Sequence, residues 1–305
     1  MKYMLLTDTH FGAKNSSMSW WSSMCSFIYN LFILDLENLN EKVNIIHLGD
    51  VFDSRSTINT YIANGVRKMF MDLASVGNVE NIYVIGGNHD YYSPENNDHC
   101  SLDLVLNNIP KVHLITHEPL YIDNIALLPW GCDYNDVKKR TKYVFAHTDI
   151  ITGNPKLNIP VFSGHIHIPY IRDNVRNLGS CYPLTFMDAN RARYYYLWDS
   201  ETDKLQEFPN TSSIRFWRVH DISEINDRMR PHDYVELYLK SKDIAANQEK
   251  IQELNRQFKN FWLIPVPEQI EGDVEVGCDI NSIIESSIPD NLRDVFIKIK
   301  EKIVI

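Results

Sequence analysis

No apolar run in this 305-residue sequence approaches the roughly 18 residues that a membrane-spanning helix needs. The most apolar stretch, Phe27 to Leu39, is interrupted by Asn30, Asp35, Glu37 and Asn38, so no membrane span is expected. Cysteine is scarce: five residues, at positions 25, 100, 132, 181 and 278, are scattered and odd in number, which excludes a disulfide framework. Met1 to Asp8 reaches an acid before a signal-peptide core could form, and the expected setting is a reducing cytoplasm. Basic charge is in deficit, with 30 Lys and Arg against 40 Asp and Glu for a net charge of −10. Bulk charge therefore repels nucleic acid, and a polyanion would have to be held by local patches, by metals or by a partner. Internal repeats and low-complexity tracts are also missing. An apolar fraction of 44% is what a folded globular chain carries.

The first half alternates short runs rich in Val, Ile and Tyr with stretches of helical period, the pattern of an α/β domain. Tyr3 to Leu6, Val43 to Leu48, Asn81 to Ile85 and Tyr143 to Ala146 read as buried strands, and Ser19 to Glu41 and Thr57 to Ser75 as crossover helices. After His147, Val161 to Ser163, Val175 to Leu178, Tyr194 to Trp198 and Leu205 to Phe208 read as a second, mostly antiparallel sheet. The expected domains are a catalytic domain over 1–213, a small β-α-β cap over 214–267, and a linker with a helical tail over 268–305. The cap carries a strand at Tyr234 to Leu239, a helix from about Ala245 to Phe261 and a strand from Trp262. In the tail, Leu292, Val295, Phe296 and Ile299 share one helical face suited to docking on a partner.

Five clusters follow strand ends in order: Asp8-Thr9-His10, Gly49-Asp50-Val51-Phe52-Asp53, Gly87-Asn88-His89-Asp90, Ala146-His147 and Gly164-His165-Ile166-His167. Open α/β sheets build their sites at such ends. Singly the clusters say little, since Asp-x-His is common and Gly-Asn-His-Asp suits a tight turn. Together they offer two Asp, one Asn and four His, a mixed oxygen and imidazole set suited to Mn, Fe or Zn. Two ions about 3.5 to 4 Å apart need a shared carboxylate, and Asp50 is the natural bridge. His47, His99, His113, His117, His220 and His232 read as ordinary surface or strand-end histidines.

This ordered set resembles the signature of the calcineurin-like metallophosphoesterase superfamily over Met1 to about Asn210. Thr7 to Gly12, Gly49 to Arg55 and Leu128-Pro129-Trp130 are most similar to the SbcD-like nuclease branch, the bacterial and T-even phage recombination subunits that act with an SMC-type ATPase. The resemblance implies a four-layer α/β/β/α metallophosphoesterase sandwich with a small α+β cap and a C-terminal helical tail. It implies that Asp8, His10, Asp50 and His167 hold one divalent ion and Asp50, Asn88, His147 and His165 the other, with Mn2+ expected and Mg2+ an alternative. His89 is expected to contact the scissile phosphate and protonate the leaving oxygen, with Asp90 setting its tautomer. Asp53 stands where the archaeal and eukaryal members carry a second His, which leaves its role open.

The implied activity is 3′ to 5′ exonuclease on duplex ends and endonuclease on single strands or hairpins, in recombination and break repair, in host cytoplasm if phage-encoded. Rival readings are a nucleotide or small-molecule phosphodiesterase, a protein phosphatase and an inactive scaffold. The phosphatase pattern would continue Gly-Asp-Val-Phe-Asp with Arg-Gly and end Gly-Asn-His with Glu, and this chain does neither. Candidate DNA contacts are Lys14, Arg55, Lys138, Lys139, Arg140 and Arg172, with Arg176, Arg191 and Arg193 beside the last. Trp20 and Trp21 suit base stacking or helix packing. Homodimer contacts are expected at Ile58, Ile62, Leu102 and Val105.

Overall fold

The computed structural model describes residues 1–93, 96–132, 137–148 and 158–267. In chain order the strands are β1 (Lys2–Leu6), β2 (Val43–His47), β3 (Val79–Ile85), β4 (Tyr91–Ser93), β5 (Asn96–Cys100), β6 (Val112–Ile115), β7 (Leu120–Ile122), β8 (Ile125–Leu128), β9 (Tyr143–His147), β10 (Val161–Gly164), β11 (Tyr170–Arg172), β12 (Val175–Asn177), β13 (Tyr194–Asp199), β14 (Lys204–Pro209), β15 (Phe216–Val219), β16 (Tyr234–Lys240) and β17 (Asn260–Val266). They form two six-stranded sheets, ordered β14-β13-β1-β2-β3-β6 and β11-β12-β10-β9-β8-β7, beside a small sheet β15-β16-β17 and the hairpin β4-β5.

Strand alternation explains the stacking. In β1, Tyr3 and Leu5 join Ile46, Tyr83, Ile85, Leu127, Phe145, Phe162 and Trp198 in a core with side chains from both sheets. Met4 and Leu6 belong to a second core, shared with the helices that cross back over the first sheet. The first crossover runs Met18–Phe27, a π turn Ile28–Phe32 and Ile33–Glu37, so the helix expected to Glu41 ends one turn early and carries an inserted residue. The second is Thr60–Ser75, capped by the Asn59 side chain, which accepts from the backbone N–H groups of Tyr61 and Ile62. Tyr29 on the first crossover donates to Asp72 on the second at 2.8 Å.

Two strand assignments move. The aromatic hairpin β13-β14 joins the first sheet, with β13 antiparallel to β1, and β9 belongs to the second sheet. That second sheet is not mostly antiparallel: β8 with β9, β9 with β10 and β10 with β12 are parallel, and only its edges β7 and β11 pair antiparallel. Short strands between turn residues look alike in sequence whether they return directly or cross over, so the pattern did not separate the two cases. The outer face of this sheet buries Ala126, Leu128, Val144, Ala146, Val161 and Val175.

The third sheet has its own core of Val219, Met229, Val235, Leu237, Leu239, Leu254 and Phe258. Its helical part is two pieces, Ser241–Ala246 and Gln248–Gln257, rather than one helix to Phe261. Trp20 and Trp21 are buried, and the Trp20 indole N–H donates to the Tyr234 hydroxyl at 2.9 Å, so this pair is packing and does not stack on a base. Met1–Pro265 form one compact unit. The expected docking residues Leu292, Val295, Phe296 and Ile299 lie outside the described residues, and among the described residues no helix is long and apolar enough to cross a membrane.

Candidate metal centre

The C-terminal ends of β1, β2, β3, β9 and β10 deliver the five clusters to one place. Asp8, His10, Asp50 and His165 have φ of 51°, 41°, 53° and 85°, a left-handed backbone that costs non-glycine residues energy and recurs at functional sites. The two loops that begin after β1 and β2 are zipped together: Asp8 N–H donates to the Gly49 carbonyl at 3.0 Å, His10 N–H to the Asp50 carbonyl at 3.0 Å and Phe11 N–H to the Val51 carbonyl at 2.7 Å. Gly49 (φ 98°) is required twice over, because a Cβ there would run into the His147 ring and the Gly87 backbone. At Gly87 a Cβ would strike the amide and carboxylate of Asp50.

Three overlapping groups of side chains converge: Asp8, His10 and His167; His10, Asp50 and His89; and Asp50, His147 and His165. Asp50 sits between them. Its Oδ2 is 3.5 Å from His10 Nε2 and 3.4 Å from His147 Nε2, while Oδ1 accepts the His89 backbone N–H at 2.8 Å. Asn88 Oδ1 lies 3.0 Å from His147 Nε2 and 2.8 Å from His165 Nδ1. His10 Nε2 and His167 Nε2 face one another at 3.2 Å, each 3.9 Å from Asp8 Oδ1. Imidazole nitrogens turned toward each other and toward carboxylate oxygens are a donor set that a divalent cation satisfies. His147 is oriented for this, since its Nδ1–H donates to the Leu48 carbonyl at 2.7 Å and directs Nε2 inward. The Thr7 hydroxyl donates to Asp8 Oδ2 at 2.7 Å.

Electrostatics follow from this crowding in the metal-free chain. Burial disfavours charge on His10 and His147, but nearby carboxylates outweigh it: Asp53, Asp50 and Asp8 raise the pKa of His10, and Asp50 carries His147 up to about 9. Asp50 is held well below the carboxylate range despite its burial, first by His147 and then by His10 and His89. Burial, against the pull of Asp8, lowers His167.

The structure corrects the role expected of Asp90. Its buried carboxylate accepts backbone N–H groups from Gly87 at 2.9 Å, Val51 at 3.3 Å and Phe52 at 3.1 Å, and so splints the second and third loops together. The His89 tautomer is set by the Asp53 backbone carbonyl, 2.6 Å from Nδ1. The Asp53 side chain faces His10 Nδ1 at 3.3 Å. Asp90→Asn turns an amide NH2 toward backbone donors, and the expected loss is about 1–3 kcal/mol of unfolding free energy in urea titrations. Unchanged stability with an altered pH–rate profile would instead return Asp90 to the His89 proton relay.

Other expected contacts are dispersed. Lys14 lies over Trp20 and Phe216; Lys138 sits over Tyr121 of β7, 4.0 Å from the ring centre, with Lys139 and Arg140 exposed beside it. Arg172 is exposed on β11, the opposite edge of the same sheet, so these groups do not form one basic face. Arg193 is buried in a 2.5 Å pair with Asp188 and is unavailable to DNA. Arg55 lines an open pocket of about 580 Å³ with Ile58, Tyr92, His99 and Leu104. Ile62 and Leu102, 1% and 0% exposed, belong to the chain's own core and are withdrawn as dimer contacts. Ile58 and Val105 are only partly buried against that core, and Tyr61 and Leu104 near them are 60% and 86% exposed. Helical spacing alone could not tell the inward face from the outward one.

Two residues near the cluster were not read as functional. The Trp130 ring is centred 5.0 Å from that of His165 and 5.9 Å from that of His147. His47, expected to be an ordinary histidine, is fully buried beneath the two ligand loops.

The sequence profile of calcineurin-like phosphoesterases matches residues 1–169 of this chain. Exonuclease subunit 1 of Enterobacteria phage T4 is 25% identical over 248 residues, which span 72% of this chain and 70% of that protein. A solved structure described as a novel archaeal phosphodiesterase is similar with a TM-score of 0.37 and 17% identity, over 68% of this chain and 99% of its own.

Proposed function

This chain belongs to the calcineurin-like phosphoesterase family, and from that premise we propose that it is a two-metal phosphodiesterase that cleaves DNA. The observation that carries this reading is the position of Asp50, whose single Oδ2 faces His10 of one donor group and His147 of the other at nearly equal distance. In this reading Asp8, His10, Asp50 and His167 hold one divalent ion and Asp50, Asn88, His147 and His165 the second, with Mn2+ as the working metal. When bound, the ions supply Lewis-acid stabilisation of charge on the phosphodiester oxygens and activate water near neutral pH.

The chain's own residues supply the rest. His89 donates from Nδ1 to the Asp53 carbonyl, which leaves Nε2 as the nitrogen available to the substrate: the ring would act as imidazolium, give its Nε2 proton to the leaving oxygen and end as the neutral Nδ1–H tautomer that this carbonyl holds. The Asp53 carboxylate keeps the His10 ring in place through Nδ1. Exonuclease action by a subunit that works with another chain is supported by the similarity to the phage exonuclease subunit. DNA as the substrate, action in recombination and break repair, the 3′ to 5′ polarity, single-strand or hairpin endonuclease activity and an SMC-type ATPase partner docked through the tail extend the resemblance of Thr7 to Gly12, Gly49 to Arg55 and Leu128 to Trp130 to the nuclease branch. A homodimer through Ile58 and Val105, now with Tyr61 and Leu104, belongs to the same proposal. The competing reading, a nucleotide or small-molecule phosphodiesterase, is favoured by the net charge of −10 and the dispersal of basic side chains; under the nuclease reading a partner supplies the missing positive surface.

End-labelled duplex DNA and a small chromogenic phosphodiester, each with Mn2+ and with EDTA, separate these readings. Metal-dependent release of nucleotides supports the nuclease. Cleavage of the small diester alone, persisting when the ATPase partner is added, overturns it.

Metal uptake should also be linked to pH. With the His147 pKa raised to about 9, the metal-free ring carries a proton at neutral pH that an incoming cation displaces. Affinity should therefore rise with pH up to about 9 and level off above it. Calorimetry at about pH 7 in buffers of different ionisation enthalpy should show proton release, and a buffer-independent heat would contradict the assignment.

A further inference from the structure

We propose that His47 is a positioning residue for the metal centre: acting with Thr9, it latches the two loops that carry Asp8, His10 and Asp50, an inference that rests on the two-metal reading above. His47 ends β2, fully buried, and both ring nitrogens are engaged. Nδ1 lies 3.3 Å from the Gly49 backbone N–H, which can only donate. Nε2 must then carry the ring hydrogen, and it lies 3.0 Å from the Thr9 hydroxyl oxygen. The Thr9 hydroxyl in turn donates to the Val51 carbonyl at 3.2 Å. The polarity of this relay is therefore complete in one direction, Gly49 N–H to His47 to Thr9 to the Val51 carbonyl, and only one neutral tautomer satisfies it.

The location gives the relay its purpose. Thr9 stands between Asp8 and His10, while Gly49 and Val51 flank Asp50, and all three ligand residues hold a left-handed backbone. The Tyr182 hydroxyl donates to the Thr9 carbonyl. Strained loops keep one geometry only where surrounding contacts over-determine them, and outer contacts of this type commonly tune metal affinity by about 10–100-fold. An aliphatic residue in place of His47 would fill the same volume and leave the Thr9 hydroxyl and the Gly49 N–H without their shared partner.

The test compares His47→Leu, His47→Gln, Thr9→Val and Thr9→Ser in the full chain, reading Mn2+ affinity by calorimetry and the spin-coupled two-ion signal by electron paramagnetic resonance, beside hydrolysis of a small phosphodiester. We expect His47→Leu and Thr9→Val each to lose about 10–100-fold in Mn2+ affinity and to weaken the coupled signal. Thr9→Ser, which keeps the hydroxyl, should match the wild type, and His47→Gln, which keeps a donor toward Thr9, should recover part of the loss. The Thr9→Val/His47→Leu double variant should be no worse than either single one. Wild-type affinity and coupling in folded Thr9→Val overturn the latch even if His47→Leu fails to fold. A wild-type chain that binds no Mn2+ overturns the two-metal reading itself, and the latch with it.

Discussion

His89→Ala is expected to reduce phosphodiester cleavage by about 10²–10⁴-fold while both metal ions remain bound. The division of labour follows from which atoms of His89 are used. Its backbone N–H donates to Asp50 Oδ1 at 2.8 Å, a contact that alanine retains, so the carboxylate at the centre of the cluster keeps its orientation. Its ring touches the loop through Nδ1 and the Asp53 carbonyl, and neither Asn88 nor His147 depends on it. The loss should thus appear in kcat, with Mn2+ content by elemental analysis unchanged from wild type. Loss of one ion per chain would show that the ring is a ligand and would remove its acid role.

Asp50→Asn is expected to have the larger effect, abolishing both metal sites and cleavage of any diester. Asn can accept the His89 N–H through its carbonyl oxygen, but that places an NH2 group where Oδ2 now faces the Nε2 atoms of His10 and His147. A donor replaces the shared acceptor, and neither ligand group is left intact because one oxygen serves both. The charge that lifts the His147 pKa disappears as well, so proton release on metal addition should vanish with binding. Retention of one Mn2+ at wild-type affinity would sink the bridging assignment and leave two independent sites.

Legibility differed by kind of residue. That Asp8, His10, Asp50, Asn88, His147, His165 and His167 come together was readable because side chains of metal-donor type recur in order, each after an apolar strand whose end faces the same edge of a sheet. The strands themselves were readable from period and apolar runs, as in Tyr3 to Leu6. Which sheet a strand joined was not: β9 and the β13-β14 hairpin exchanged places because local composition carries no record of long-range pairing. Asp90 was misread for a related reason. Its neighbour in sequence is His89, but its partners include backbone N–H groups at Val51 and Phe52, 39 and 38 residues away.

By itself, then, the sequence determined the α/β class, the order of the five polar clusters and the metal-donor side chains they offer, since these depend on side-chain type and on spacing along the chain. Tertiary structure alone decided that Asp50 Oδ2 faces both donor groups, that a backbone carbonyl rather than Asp90 sets the His89 tautomer, and that His47 lies against both ligand loops. It also withdrew Ile62, Leu102 and Arg193 from the surface and placed Lys138 and Arg172 on opposite sheet edges. These are facts of distance between residues remote in sequence, and a hydrogen bond or a shared carboxylate exists only once folding has brought its two ends within about 3 Å.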